Sequence, residues 1–176
     1  MTIPVIKTQR LTLRGWNNSD AEALSALNAD PRFVQYLGNG QPLSREDSWR
    51  VLAVFAGHWA LKGFGLWAVE LAETGELIGR VGLWEPEGWP GVELGWGISP
   101  KHWGKGYATE AANASLQWAF DHLKLASVIS IIHPDNHASK QVAGRIGETY
   151  SHTQPIRQID CEIYTITKAD YAERNQ

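Results

Sequence analysis

The hydrophobic pattern of the first third of the chain predicts one strand followed by two helices. Residues 11–16 alternate between apolar and polar side chains, which is typical of a half-buried strand. Ser19 and Glu22 have the spacing of a capping box and predict a helix through Asn28, which the Asp-Pro pair at 30–31 ends.

A second helix is predicted from Ser44 to Gly63. Ser44 precedes a charged segment suited to a first helical turn, and Gly-Phe-Gly at 63–65 ends the pattern. The expected apolar face consists of five residues at helical spacing: Trp49, Leu52, Ala53, Ala56 and Ala60.

The middle of the chain has the pattern of an antiparallel meander. The apolar segments 66–71 and 77–84 flank Glu-Thr-Gly-Glu at 73–76, which predicts a hairpin. A turn at 86–91 then leads to a third strand at 92–98.

Beyond Gly106 the hydrophobic period becomes helical. Apolar residues from Ala108 to Leu123 recur on one face and predict a long helix. A short β-branched strand follows, then a second helix and a last strand, at 128–132, 136–146 and 159–166, with one or two further short strands near the end.

The order of these elements predicts a mixed α/β (α+β) fold in a single domain, residues 1–176. The strands at 92–98 and 128–132 are joined through the long helix. By the right-handed crossover rule, those two strands should lie side by side and parallel.

Composition narrows the possible functions. The chain is 43% hydrophobic and 20% charged, with a net charge of −3, so broad electrostatic binding to nucleic acid or to a membrane surface is not expected. The single cysteine, Cys161, excludes an internal disulfide and favours a cytoplasmic location. Residues 1–14 lack the apolar core of a secretory signal, and window 52–71 carries charged residues and glycines, which favours a buried helix and strand over a membrane span.

Residues 102–111, His-Trp-Gly-Lys-Gly-Tyr-Ala-Thr-Glu-Ala, predict an anion site where a loop becomes a helix. The chain has no G-x-x-x-x-G-K-[ST] phosphate loop, and Thr109 replaces the third glycine of the G-x-G-x-x-G dinucleotide fingerprint. A helix N-terminus offers N–H groups and a positive dipole end, and Gly104 and Gly106 let a pyrophosphate approach the backbone. A tight strand-to-helix turn without a ligand is the alternative.

Three ordered motifs resemble one family. Residues 103–108 resemble motif A, [Q/R]-x-x-G-x-[G/A], of the GNAT superfamily of acetyl-CoA-dependent N-acetyltransferases, with Trp103 in place of the usual Gln or Arg. The Thr-x-Arg-Leu-x-Leu-Arg sequence at 8–14 and the Asn-x-x-Ser sequence at 136–139 are similar to the RimJ and RimL protein N-terminal acetyltransferases. The resemblance implies a mostly antiparallel twisted sheet, with helices on both faces and a parallel pair of strands splayed around the coenzyme arm.

The resemblance also implies where acetyl-CoA binds. Gly97 and Ile98 are expected to contact the pantetheine arm through their backbone, and Asn136 through its amide unless it serves only as an N-cap. The pyrophosphate is expected on the loop residues: Trp103, Gly104, Lys105, Gly106, Tyr107, Ala108 and Thr109.

The implied chemistry is acyl transfer from a thioester to an amine, which needs a base for the ammonium proton and N–H donors for the oxyanion. Glu93, an acid within an apolar strand, is the expected base unless its side chain faces solvent; His133 is the second candidate. Ser139 is expected to hydrogen-bond the sulfur or to protonate the thiolate, unless it only satisfies local backbone. No metal is expected, because the six histidines lack ligand spacing such as H-E-x-x-H.

These observations favour an acetyl-CoA-dependent N-acetyltransferase that acts on a primary amine, either a protein or peptide N-terminus or a small molecule. A catalytically weak acyl-CoA-binding module and a structural dimerisation protein are the alternatives, and a homodimer is compatible with the tryptophan content. Segments 38–42 and 88–91 and the second helix are expected to rim the amine pocket. Some of the nearby tryptophans are expected to form an aromatic wall, and the rest to pack in the core: Trp49, Trp59, Trp67, Trp84, Trp89 and Trp96.

Overall fold

A computed structural model of the chain describes residues 2–174. Met1, Asn175 and Gln176, which belong to the predicted domain 1–176, lie outside the described residues. The strands are β1 (Ile6–Lys7), β2 (Leu11–Arg14), β3 (Leu66–Leu71), β4 (Leu77–Trp84), β5 (Glu93–Ile98), β6 (Ser127–Ile132), β7 (Thr149–Ile156) and β8 (Ile159–Thr167). The helices are α1 (Ala21–Ala29), α2 (Pro31–Val34), α3 (Arg45–Lys62), α4 (Tyr107–Trp118), α5 (His137–Ile146) and α6 (Lys168–Arg174).

The eight strands form one sheet in the order β1-β2-β3-β4-β5-β6-β8-β7. All neighbours are antiparallel except β5 and β6, which are parallel and pair at a single position, Glu93 opposite Ile129. Beyond that position the two strands have no paired register, so the sheet opens between them. The predicted mixed α/β fold, with its α4 crossover between two parallel strands, is confirmed.

Helices cover both faces of the sheet. On one face, α4 contributes Ala111, Ala112 and Leu116 to the main hydrophobic core. On the other face, α1 and α3 pack against Leu66 and Ala68 of β3. Burial of these apolar side chains is the dominant favourable contribution to the fold.

Two helix details differ from the sequence prediction. The capping box is formed by Asn17 and Asp20 around a short 3-10 turn that precedes α1, whereas Ser19 and Glu22 were expected. The 3-10 turn shifts the cap two residues towards the N-terminus. The structure confirms Ser44 as the N-cap of α3 and places Gly63 at its C-cap with a left-handed φ of 78°.

The predicted apolar face of α3 is confirmed at Leu52, which is buried, but it is wrong for most of its other members. Trp49 is exposed, as are Ala53 and Ala60. The buried face instead consists of Ser48, Leu52, Phe55, His58 and Trp59. Two aromatic rings bury far more apolar area than several alanines, and this area sets the rotation of the helix on the sheet.

Three short elements, β1, α2 and α6, are not predicted by the hydrophobic pattern. The strand β1 contains only two residues, α2 contains four, and α6 follows β8 directly. Elements this short carry too few residues to show a period. Within residues 2–174, no helix has both the length and the apolar character needed to cross a membrane.

Candidate active site

The loop before α4 has the geometry of an anion cradle. Gly104 and Gly106 have left-handed φ angles of 75° and 82°, which favour glycine. Gly106 is the N-cap of α4, and no side chain of residues 2–174 caps this helix. The N–H groups of the first turn, from Tyr107 to Thr109, therefore lack a capping acceptor and carry the positive end of the helix dipole.

Residues of the first motif hold this cradle in place. Glu110 accepts hydrogen bonds from the Thr8 hydroxyl at 2.6 Å and from the Arg10 Nε at 2.7 Å. Arg10 also donates to the carbonyl of Lys105 at 2.9 Å, and its guanidinium lies 4.6 Å from the ring centroid of Tyr107. The Thr-x-Arg sequence at 8–10 and the loop before α4 are thus parts of one structure.

Two connected spaces meet beside this loop. A groove of about 970 Å³ runs along the loop and the start of α5, and it is lined by all of residues 102–110. A cavity of about 400 Å³ lies between β4, β5, α3 and the segment after α2. Five residues line both spaces and mark their junction: Tyr36, Leu37, Trp96, Asn136 and Ser139.

The open edge of β5 faces the gap beside β6. The carbonyl of Val92 accepts from Ile129 in the last ladder bond, and strand alternation turns the backbone of residues 94, 96 and 98 towards the same side. Ser130 donates to the carbonyl of Leu94 at 2.8 Å, and the Trp103 indole donates to that of Ile98 at 2.7 Å. The intervening Trp96 backbone is left facing the gap.

Gly97 lines the groove, but its backbone points elsewhere. Gly97 pairs with Arg80 across the β4–β5 ladder, and its carbonyl would lie 2.2 Å from a Cβ placed on Gly79. The backbone polar groups of Gly97 therefore face β4. On this geometry the backbone of Trp96 presents the polar groups that Gly97 was expected to supply, and Trp96 was not predicted for this role.

Glu93 lies at the point where β5 and β6 separate, and it lines the cavity. The Trp89 indole donates to its carboxylate at 2.7 Å. Burial raises the pKa of Glu93 to about 7, although the Trp89 indole, the backbone N–H of Ile131 and the charges of Arg80 and Arg157 act in the opposite direction. A carboxyl group with this pKa exchanges a proton near neutral pH.

A second buried acid, Glu148, lies behind Glu93. Glu148 is 3% exposed, and its Oε1 lies 2.9 Å from the hydroxyl of Ser130. The same hydroxyl also lies 2.8 Å from the carbonyl oxygen of Leu94, so its single proton is shared between these two acceptors. Burial raises the pKa of Glu148 to about 8, the Ser130 hydrogen bond opposes this, and the charge of Glu93 adds to it.

His133 lines the cavity with one ring nitrogen already engaged. Its Nδ1 accepts the backbone N–H of Asp135 at 3.1 Å, and its ring lies 5.0 Å from that of Tyr36. A neutral imidazole has one acceptor nitrogen, and in His133 that nitrogen already accepts the backbone N–H of Asp135. This arrangement favours Glu93 over His133 as the proton acceptor.

Asn136 and Ser139 lie together at the junction. Asn136 caps α5, with its Oδ1 accepting the N–H of Ser139 at 3.1 Å. The Ser139 hydroxyl oxygen accepts from the Trp96 indole at 3.1 Å, so its own proton can point into the space shared by groove and cavity.

The tryptophans divide between the cavity and the core. Trp84, Trp89 and Trp96 line the cavity, as do residues of segment 38–41 and of α3. Trp59 and Trp67 are buried in the main core, and Trp49 is half exposed on the surface. Among residues 2–174, no cluster of His, Cys, Asp and Glu side chains is arranged to hold a metal ion.

Comparison with known proteins identifies the family. The model of the acetyltransferase (GNAT) domain matches residues 10–149. The uncharacterized N-acetyltransferase YoaA of Bacillus subtilis is 28% identical over 174 residues, covering 94% of this chain and 97% of the relative. The FsC-acetyl coenzyme A-N(2)-transacetylase of Aspergillus fumigatus is 32% identical over 159 residues, covering 85% of this chain and 67% of the relative.

A solved structure agrees with these relatives. The crystal structure of an acetyltransferase from Agrobacterium tumefaciens superposes with a TM-score of 0.85 at 36% identity, covering 96% of both chains. The chain therefore belongs to the GNAT family of acetyltransferases, enzymes that transfer acetyl groups from acetyl-CoA.

Proposed function

We propose that the protein transfers the acetyl group of acetyl-CoA to the primary amine of an acceptor bound in the cavity that contains Glu93. The observation that carries this proposal is the shared junction. The coenzyme groove and the acceptor cavity meet at Trp96, Asn136 and Ser139, so a thioester lying in one reaches an amine lying in the other.

On this proposal, the loop N–H groups of residues 103–109 bind the pyrophosphate, and the Trp96 backbone pairs with the pantetheine arm between β5 and β6. Gly97, Ile98 and Asn136 complete the lining of the arm. Lys105, exposed on the loop, adds positive charge at its rim.

The reaction is a direct displacement. Glu93 accepts a proton from the ammonium group, and the nitrogen lone pair then forms a bond to the thioester carbonyl carbon. Backbone N–H groups stabilise the resulting oxyanion. The carbon–sulfur bond breaks as the oxyanion collapses, and the nitrogen loses its second proton to give a neutral amide. The Ser139 hydroxyl hydrogen-bonds the leaving thiolate or relays this proton to it, so that a free thiol leaves.

The volume of the cavity, about 400 Å³, suits a small amine or the end of a chain. A RimJ/RimL-like role, in which the acceptor is a protein N-terminus, is supported by the motifs at 8–14, 103–108 and 136–139. A single acetyltransferase domain over residues 1–176, a cytoplasmic location and a homodimer remain predictions.

Thermal unfolding with added ligands tests the coenzyme part of the proposal. Acetyl-CoA should raise the unfolding midpoint by mass action, whereas NAD and ATP should not. A shift with NAD or ATP but none with acetyl-CoA would overturn it. Release of free thiol when amines are added then separates an enzyme from an acyl-CoA-binding module.

A further inference from the structure

The acceptor cavity contains a cation that no described residue neutralises by contact. Arg80 projects from β4 into the cavity lining, and within residues 2–174 its guanidinium forms neither an ion pair nor a hydrogen bond. The guanidinium rests on aromatic faces, 4.9 Å from the ring centroid of Phe55 and 5.9 Å from that of Phe33. Arg80 is half-buried, and its guanidinium has five N–H donors that find no acceptor among the described side chains and are free to meet a ligand in the cavity.

Other arginines of the protein are satisfied differently. Arg10, Arg14 and Arg32 each have a carboxylate oxygen 2.7 Å away. Burial lowers the pKa of Arg80 to about 10, and the charge of Glu93 only partly offsets this. Arg80 is thus held in an environment that disfavours its charge, as expected of a group whose partner is a ligand.

Arg80 and Glu93 lie on the same face of the sheet, and no side chain projects from the pair of residues between them. In the β4–β5 ladder, Arg80 pairs with Gly97 and Glu93 pairs with Trp84. The intervening pair, Gly82 and Gly95, has no side chains. The Cα atoms of Arg80 and Glu93 are therefore about 13 Å apart along the strands, a span that their side chains shorten from both ends.

A second unsatisfied donor lines the same cavity. Asn28 is 1% exposed, and its Nδ2 has no hydrogen-bond acceptor in the part of the chain that the structure describes. Its backbone carbonyl accepts the N–H of Leu43, which fixes the end of α1 against the segment before α3. The cavity therefore offers the guanidinium of Arg80 and an amide N–H₂ group in addition to the carboxyl of Glu93, while the guanidinium of Arg157, an exposed residue, lies over the Trp89 ring.

From this arrangement we infer that the acceptor is an amine that also carries a nearby carboxylate, as in a free amino acid or in a peptide N-terminus whose first side chain is acidic. Its carboxylate pairs with Arg80 and the amide of Asn28, and its amine lies towards Glu93 and the thioester. This inference rests on the proposed acetyl transfer. A polyamine would bring a further positive charge towards Arg80 and is disfavoured.

The test uses pairs of amines that differ only in the charge of one group. The probes are glycine and glycinamide, L-leucine and L-leucinamide, L-tryptophan and L-tryptophanamide, with spermidine as the polyamine. The peptides Asp-Ala-Ala-amide and Asn-Ala-Ala-amide test whether an acidic side chain at a peptide N-terminus provides the same chemistry. Thiol release and mass spectrometry give kcat/KM for each probe.

The wild type should prefer at least one acid over its amide by about tenfold or more, as expected for a charge-assisted hydrogen bond. Arg80→Met should reduce this ratio towards one, and Arg80→Lys should retain part of it. Arg50→Met is the matched control, because Arg50 is exposed and pairs with Asp47 outside the cavity. Equal or faster acetylation of the amides or of spermidine, or a ratio that survives Arg80→Met, would overturn the inference.

A binding measurement separates this inference from the proposed function. If the wild type acetylates amines without preferring the acid, the proposed acetyl transfer is supported and the inferred carboxylate site is refuted. If no amine is acetylated, transfer fails, and the unfolding midpoint decides the site. An acid that raises the midpoint of the wild type but not of Arg80→Met would support the site, and the absence of any such shift would refute it.

Discussion

At the scale of single residues, the sequence identifies Glu93 as a candidate base but does not show whether its side chain is buried. Its position in an apolar strand marks it as unusual, but alternation alone does not say which face is covered. The structure supplies that information through the Trp89 indole and through the separation of β5 from β6. Glu148 carries no comparable signal, because it directly follows the glycine that ends α5.

Glu93→Gln should lower kcat/KM by about a hundredfold or more, the usual contribution of a general base. The pKa of Glu93 is near 7, and only its carboxylate accepts a proton, so wild-type kcat/KM should rise as pH increases through about 7. In the variant, this rise of kcat/KM with pH should be absent, while the affinity for acetyl-CoA is unchanged. A pH profile that keeps this rise in Glu93→Gln would assign the base elsewhere.

Glu148→Gln should change how stability depends on pH. The folded-state pKa of Glu148 is raised to about 8, so its contribution is fully present below the unfolded value of 4.5 and is lost as pH rises to about 8. Within that window the free energy of unfolding should fall by up to about 1.4 kcal/mol per pH unit.

In Glu148→Gln the free energy of unfolding should lose the part of its pH dependence that comes from Glu148. The part that comes from Glu93 should remain. Denaturant unfolding of both proteins from pH 5 to pH 8 measures the difference. Parallel curves for wild type and variant would show that Glu148 is not held protonated.

At the scale of elements, the loop before α4 depends on a distant part of the sequence. The resemblance of residues 8–14 to the family is visible without a structure, but its physical reason is not. Only the folded chain shows that Arg10 and Thr8 hold Glu110, one turn into α4. The error in the predicted buried face of α3 also arises from packing. Phe55 and Trp59 bury more apolar area than the alanines on which the prediction was based, and this sets the rotation of the helix on the sheet.

Arg10→Met should weaken acetyl-CoA binding by about tenfold, because the variant loses charged hydrogen bonds that order the loop. The matched control is Arg45→Met, which removes an exposed ion pair with Glu22 and should bind as the wild type does. Calorimetric titration with acetyl-CoA measures both. Equal affinity in Arg10→Met and wild type would contradict a positioning role.

Gly106→Ala should weaken coenzyme binding and lower stability by about 1 kcal/mol, because its φ of 82° is unfavourable for any residue with a Cβ. The control is Gly57→Ala in α3, where a Cβ meets no atom within 4 Å and alanine should stabilise the helix by about 0.5–1 kcal/mol. Unfolding midpoints with and without acetyl-CoA distinguish the two. A Gly106→Ala protein as stable and as tight-binding as wild type would refute the cradle geometry.

At the scale of the whole molecule, β5 and β6 pair at one position only, and on the proposed function the opening beyond it is where the coenzyme arm enters. The crossover rule predicted that these strands are parallel neighbours, and the structure confirms it. The size of the opening and the meeting of groove and cavity depend on packing between segments that are far apart in the sequence, such as Tyr36 and His133. For that reason the acceptor side was the least predictable part of the site.

The most direct measurement of the central claim is acetyl transfer itself. The wild-type protein is incubated with acetyl-CoA and a mixture of amino acids, their amides, spermidine and peptides, and products are read by mass spectrometry alongside a free-thiol assay. We predict one free thiol for each acetylated amine, and strong loss of both in Glu93→Gln. Tight binding of acetyl-CoA with no acetylated amine and no thiol released would contradict the account and identify a binding module.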